Sequence, residues 1–212
     1  MRKFSMEEAL RFGWETLKKY PAFLAGVVLL LALINYTPFL INNFAREKVG
    51  DYFFPIQIVF SILQVILNMG ILRITLLYVD GEQAEPHDLF ACAHLFFRYF
   101  VASFAFVLLV VLGLMLFIIP GVVLALKFQF YDYFIIDKNA GIMESIERSG
   151  KITEGGLMDL FLFTLALFGI NLLGALALGV GLLISMPVSM LARAHVYRQL
   201  EAKSQPQAEG SV

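Results

Sequence analysis

The stretch "IIPGVVLALKFQFYDYFIID", residues 118–137, begins like a membrane span and then admits Lys127, Gln129 and Asp132. On an insertion scale its Val, Leu, Ile and Phe residues contribute about −0.3 to −0.6 kcal/mol each. Lys or Asp near mid-helix costs roughly 2.5 to 3.5 kcal/mol. Lys127 and Asp132 therefore cancel most of the gain. The segment is expected to insert only as the partner of the apolar run before it, with its polar groups finding company inside the protein.

The rest of the chain supplies that setting. It has 212 residues, of which 59% are hydrophobic and 16% charged, whereas soluble domains carry about a quarter charged residues. Charge-free runs at Ala22–Asn42, Val101–Leu126 and Leu160–Leu191 approach or exceed the roughly 20 residues that cross about 30 Å of hydrocarbon. They lack the alternation of barrel strands, and helices satisfy their own backbone groups in lipid. A single helix over 100–137 would be about 57 Å long, so Pro120-Gly121 is expected to turn the chain between two spans. The expectation is an all-α integral membrane protein with six transmembrane helices in three hairpins. Its spans fall at about 22–42, 53–78, 100–119, 121–137, 157–175 and 179–196. One membrane domain covers 1–200, and the polar tail 201–212 is expected to be disordered and cytoplasmic.

A short amphipathic helix is expected before each hairpin. Ser5-Met6-Glu7-Glu8 fits a capping box, and Met6, Leu10, Trp14 and Leu17 recur opposite Glu8, Arg11, Glu15 and Lys19. Such a helix suits a bilayer surface, or is a solvated lead-in to the first span, which begins after Pro21. Its charge and the length of the following run argue against a cleavable signal. A second helix is expected around 88–98, and a third in "GIMESIERSGKITEGG", residues 141–156. "MEEALRFGWET" (6–16) and "MESIERSGKIT" (143–153) share Met, Glu, Arg, Gly and Thr at a constant offset of 137. An internal repeat and shared physical demands both account for that match.

Lys and Arg placement gives the orientation. With six spans, Arg2, Lys3, Arg11, Lys18, Lys19, Arg98, Lys138, Arg148, Lys151, Arg193, Arg198 and Lys203 share one side, against Arg46 and Lys48 on the other. Both termini are therefore expected in the cytoplasm of a bacterial inner membrane.

Within the second span, Gln57, Ser61, Gln64, Asn68 and Thr75 fall within about a 60° arc of one helix face and are expected to look into the bundle. They form interhelical hydrogen bonds of about 0.6 kcal/mol each, or line a polar path or headgroup groove. Arg73 lies on the opposite face. Lys127 is expected near Asn68 and the amide stripe. Asp132, which shares a face with Gln129, is expected near Arg73 or the cytoplasmic charges. Snorkelling is the alternative for Arg73 and Lys127. Small residues through Gly174–Gly181 suit a tight turn and close helix packing.

His87, His94, His195 and Cys92 lack the spacing of a ligand pair, so no metal or other cofactor is expected. A lone cysteine forms no internal disulfide. The net charge of −1 gives no sign of nucleic-acid binding, and no nucleophile motif or phosphate loop is present. The chain is therefore not expected to be an enzyme.

From Pro120 onward the chain resembles the YciC-like family of bacterial membrane proteins and the membrane domain attached to some glycerophosphoryl diester phosphodiesterases. The likeness rests on "IIPGVVLALKFQFYDYFIID", "AGIMESIERSGKITEGG" and "ARAHVYRQL", and "FSMEEALRFGWETLKKYP" is similar to that family's lead-in. The resemblance implies fold and membrane location, and no activity, because the phosphodiesterase barrel has no counterpart here. The function expected is a non-catalytic accessory or scaffold role linked to envelope lipid homeostasis, with membrane lipids, other membrane proteins or a second copy as partners. The alternative is a small-solute or lipid transporter or channel using the intramembrane polar residues.

Overall fold

The structure, a computed structural model, describes residues 3–45, 50–177 and 179–204. Arg2, Arg46, Lys48 and most of the tail expected at 201–212 lie outside the described residues. Among those described, the secondary structure is helical: α1 (Met6–Lys19), α2 (Pro21–Leu40), α3 (Phe53–Val79), α4 (Asp88–Ala91), α5 (Phe96–Leu116), α6 (Ile118–Phe128), α7 (Tyr131–Lys138), α8 (Ile142–Thr153), α9 (Leu157–Leu176) and α10 (Leu182–Ser204).

Among the described residues, five segments are long and apolar enough to cross a membrane: Pro21–Phe44, Phe53–Val79, Asp88–Leu116, Ile118–Lys138 and Leu157–Leu176. This marks the chain as a membrane protein. The sixth expected span, 179–196, falls on the turn before α10 and the first part of α10, which is not among them. Its C-terminal half carries Arg193, His195, Arg198, Glu201 and Lys203. It packs against α1, α2, α3, α8 and α9, so surrounding protein partly or wholly covers Arg193, His195, Arg198 and Glu201, while Lys203 is exposed.

The start of α1 makes half of its capping box. Ser5 Oγ accepts from the Glu8 N–H at 3.3 Å. The other half is replaced by a tertiary contact: Gln199 takes the Ser5 N–H at 2.9 Å and donates to Glu8 at 3.1 Å. Of the expected stripe Met6, Leu10, Trp14 and Leu17, only Leu17 is buried; the face turned onto α10 is Ala9, Gly13 and Leu17, and Trp14 is exposed.

Two boundaries differ from expectation. The reversal between α5 and α6 falls at Phe117, which is extended (φ −161°, ψ 155°), three residues before Pro120. Pro120 sits in the first turn of α6, where a backbone N–H has no helical partner to lose. Gly121 packs instead against Leu114, and a Cβ there would lie 2.7 Å from the Leu114 backbone nitrogen. The second difference is a break at Gln129–Phe130, which divides the expected span 121–137 into α6 and α7.

The three units pack in a closed cycle. Each amphipathic element lies against the returning helix of the unit before it: α4 on α3, α8 on α6 and α7, and α1 on α10. The close approaches recur at Gly70 with Leu89, Gly150 with Phe128 and Lys127, and Gly13 with Val188. On the returning helices these points are 70, 127–128 and 188. A glycine thus sits at the close approach of each short helix to the helix it docks on.

Large exposed apolar side chains concentrate in the stretches 29–62, 97–123 and 158–186. Among the described residues, those outside this belt are Trp14, Phe90 and Met143, one on each amphipathic element. The opposite end of the bundle has a buried aromatic core, with Phe130, Tyr133 and Tyr197 fully enclosed.

Candidate functional site

The break between α6 and α7 leaves backbone groups without helical partners, which is tolerable at such a position only where protein satisfies them. Helix α8 supplies most of that. Ser149 Oγ accepts the Phe130 N–H at 3.1 Å and donates to the Lys127 carbonyl at 3.2 Å. Thr153 Oγ1 donates to the same carbonyl at 2.9 Å. From α10, Arg193 Nη2 donates to the Gln129 carbonyl at 2.6 Å. Replacing Ser149 with alanine strands the buried Phe130 N–H. We expect a loss of about 1–3 kcal/mol, read as a lowered thermal midpoint in detergent.

Three returning helices meet at the break in two polar tiers. Thr75, Asp132 and Arg193 occupy one, spaced by 57 and 61 residues along the chain. Asp132 Oδ1 accepts the Tyr133 N–H at 2.9 Å, and Oδ2 lies 3.8 Å from Arg193 Nη2. The Arg193 guanidinium also lies over the rings of Phe130 and Tyr133, at 5.9 and 5.8 Å.

The second tier, one and a half turns further along each helix, is Asp80, Asp137 and Arg198. Arg198 forks onto Asp80 through Nε and Nη2 at 2.9 and 2.7 Å. It reaches both oxygens of Asp137 at 2.6 and 2.8 Å, and Glu201 at 2.9 Å. Lys138 adds bridges to Asp137 and Glu201 at 3.1 and 2.9 Å. Burial alone would lower the Arg198 pKa, but its bonds to Asp137 and Asp80 outweigh that and raise it. Burial, with Asp137 and Glu201 nearby, pushes the Tyr197 phenol well above its usual range. Tyr197 therefore stays protonated and donates to Asp137 Oδ2 at 3.1 Å.

The structure scatters the polar stripe of α3. Gln64 bonds Asn35 on α2. Thr75 is buried in the upper tier and donates to the Leu72 carbonyl. Asn68 and Ser61 are exposed. Gln57 and Ser61 line a largely apolar groove beside Phe96 and Phe100. The Gln64–Asn35 pair is the interhelical bond the periodicity predicts. Asn35→Leu should cost only about 0.6 kcal/mol, measurable by unfolding in mixed micelles.

One expected pairing of the opening stretch is corrected, and the other resolves to its second alternative. Lys127 lies against α8, near Gly150 and 5.8 Å from the Phe128 ring centroid, rather than near Asn68. The break turns this part of the chain toward α8, away from the amide stripe. Asp132 meets Arg193, one of the cytoplasmic charges expected as its alternative partner, and not Arg73, whose charge lies on the Cys92 side of α3. Gln129 bonds the Leu126 carbonyl at 3.0 Å. The sequence reading held Arg193 and Arg198 only as members of the cytoplasmic charges, and Ser149 and Asn35 were missing from it. The acidic end of the 118–137 span and the "ARAHVYRQL" motif were the available signals for Arg193 and Arg198.

Beside Arg193, a groove of about 270 Å³ opens between α6 and α9. Its walls are Ala125, Leu126 and Gln129 on one side, and Phe163, Thr164 and Leu167 on the other.

Residues 47–211 match a domain of unknown function, DUF7847. Two curated proteins are similar over 138 residues at 28% identity, an uncharacterised protein of Mycobacterium bovis and one of Mycobacterium tuberculosis. Each match covers 65% of this chain and 42% of the relative, so the chain spans less than half the length of these relatives. No solved structure matches the chain. The matches point to an uncharacterised bacterial family and give no support to a YciC-like or phosphodiesterase-domain relation.

Proposed function

The chain belongs to the DUF7847 family, and we propose that it is a non-catalytic, multi-pass accessory or scaffold protein of the bacterial inner membrane, linked to envelope lipid homeostasis. One observation carries this reading: each of three amphipathic elements is docked on a returning helix and presents one exposed large side chain, Trp14, Phe90 or Met143. Such side chains, beside Arg11, Lys18 and Arg148, suit the headgroup layer. In this reading the apolar first half of α10 makes the sixth crossing, hairpinned to α9. Asn171 bonds Ser189 at 2.9 Å across that pair, and Gly174 packs on Gly181. The excess of Lys and Arg at the end shared by α1, α8 and the C-terminal half of α10 supports cytoplasmic termini.

Transport is the second reading, and the broken α6–α7 helix favours it, since discontinuous helices build many transporter sites. Against it, Gln64, Asn68 and Lys127 meet different surroundings rather than one path: Asn35, the exposed surface and α8.

Extraction of the full chain in native nanodiscs, followed by lipid and protein mass spectrometry, tests the proposal. A lipid class or membrane protein enriched over bulk membrane is expected. A disc with bulk lipid composition and no companion protein would overturn the accessory reading. A solute flux in proteoliposomes that Gln64→Leu abolishes would establish transport in its place.

A further inference from the structure

The Arg193 groove contains a cation whose donors are mostly unspent. A guanidinium carries five N–H donors. Here Nη2 bonds the Gln129 carbonyl at 2.6 Å, and Nε is buried without a hydrogen-bond partner. Among the described residues, Nη1 makes no hydrogen bond either. Asp132 answers the charge only in part. Its nearer oxygen is 3.8 Å from Nη2, too long for a hydrogen bond, and its other oxygen holds the Tyr133 N–H. The Arg193 side chain is nevertheless 38% exposed, so part of it faces the groove.

The groove's setting restricts what can complete that guanidinium. Its mouth lies in the apolar belt, where Phe161, Leu165 and Phe168 on α9 and Val123 on α6 are exposed. A charge in apolar surroundings is costly unless paired and hydrogen-bonded. An oxyanion that accepts from Nη1 would supply that pairing, and phosphate matches a guanidinium in both charge and spacing. Leu126, Phe163 and Leu167 offer nothing to a hydrated ion, but they suit a hydrocarbon chain. Thr164 places a hydroxyl on the rim. The charge, the apolar walls and the lateral opening together describe an amphiphile entering from the bilayer.

We infer that the groove between α6 and α9 binds one anionic phospholipid of the surrounding membrane, with its headgroup phosphate on Arg193 and its acyl portion along Leu126, Phe163 and Leu167. This rests on the lipid-linked reading above and gives that reading a specific site.

The test uses the full chain in phosphatidylcholine nanodiscs doped with phosphatidylglycerol, with retained lipid measured by native mass spectrometry. The wild type should retain phosphatidylglycerol over phosphatidylcholine by roughly tenfold. Thr164→Phe fills the groove from an exposed position and leaves the Arg193–Gln129 bond in place. It should reduce the preference to near unity with an unchanged thermal midpoint. Arg193→Gln should also bring the preference to near unity, with a lowered midpoint because Asp132 and the Gln129 carbonyl lose their partner; if it fails to fold, Thr164→Phe alone decides. Inorganic phosphate should neither displace the lipid nor stabilise the lipid-free protein. Undiminished preference in Thr164→Phe, or displacement by inorganic phosphate, would overturn the assignment. A lipid enriched in native discs but insensitive to Thr164→Phe would sink this site while leaving the accessory role standing.

Discussion

Replacing Arg198 with leucine is expected to destabilise the protein by about 3–5 kcal/mol, the range for removing one partner from a buried ionic group. Arg198 joins the ends of α3, α7 and α10 by bonding Asp80, Asp137 and Glu201 at once. The side chains of Asp137 and Glu201 are only 9% and 10% exposed. Without the guanidinium, these carboxylates would face one another with Lys138 as the remaining cation in contact. Arg198→Lys should recover part of the loss, because an ammonium is a point charge and cannot span two carboxylates as a planar fork. Asp80→Asn should cost less, because Asp80 is 40% exposed and water screens it. Thermal unfolding in detergent gives the ranking. An Arg198→Leu midpoint indistinguishable from wild type would show that the tier does not hold the three helices together.

That cluster also shows what the sequence could convey. Apolar runs announce spans because lipid demands them locally, and five such helices are present among the described residues. The small residues at Gly174 and Gly181 announced a close turn, and they touch there. The Pro-Gly pair pointed to a reversal near residue 120, but a helix accepts proline in its first turn, so the bend moved to Phe117. Partner choice was harder to read. Depth and face assume straight helices, and the break at Gln129–Phe130 swings Asp132 toward α10 and Lys127 toward α8. The two tiers also combine unlike residues: Thr75 with Asp132 and Arg193, and Asp80 with Asp137 and Arg198. A search for repeated identities passes over both, although their spacing is regular. Pairing, unlike hydropathy, depends on residues some 60 positions apart and on the order in which the units close.

The second large effect is expected at Gly70, where alanine should cost about 3 kcal/mol or more, the upper part of the range for overpacking a tight core. In the sequence Gly70 looks like a weak point in the middle of a span, since glycine lowers helix propensity. In the structure it is the crossing of α3 and α4. An added Cβ would lie 2.1 Å from the Leu89 carbonyl oxygen and 2.5 Å from its Cα. These are backbone atoms, so no side-chain rotation can relieve the clash, and α4 would have to move off α3. The equivalent crossings place their glycine on the amphipathic partner: Gly13 would meet the Val188 carbonyl oxygen at 2.6 Å, and Gly150 the Phe128 ring at 3.1 Å. Gly13→Ala should therefore approach the Gly70→Ala penalty, whereas Gly150→Ala should cost less because an aromatic ring can shift. Gly26→Ala is the control, as nothing lies within 4 Å of its added Cβ. It should leave the midpoint unchanged or raise it slightly. If Gly70→Ala and Gly26→Ala proved equally tolerated, the cycle of docked amphipathic helices would lose its tightest contact, and with it the physical reason for treating the three units as one repeated design.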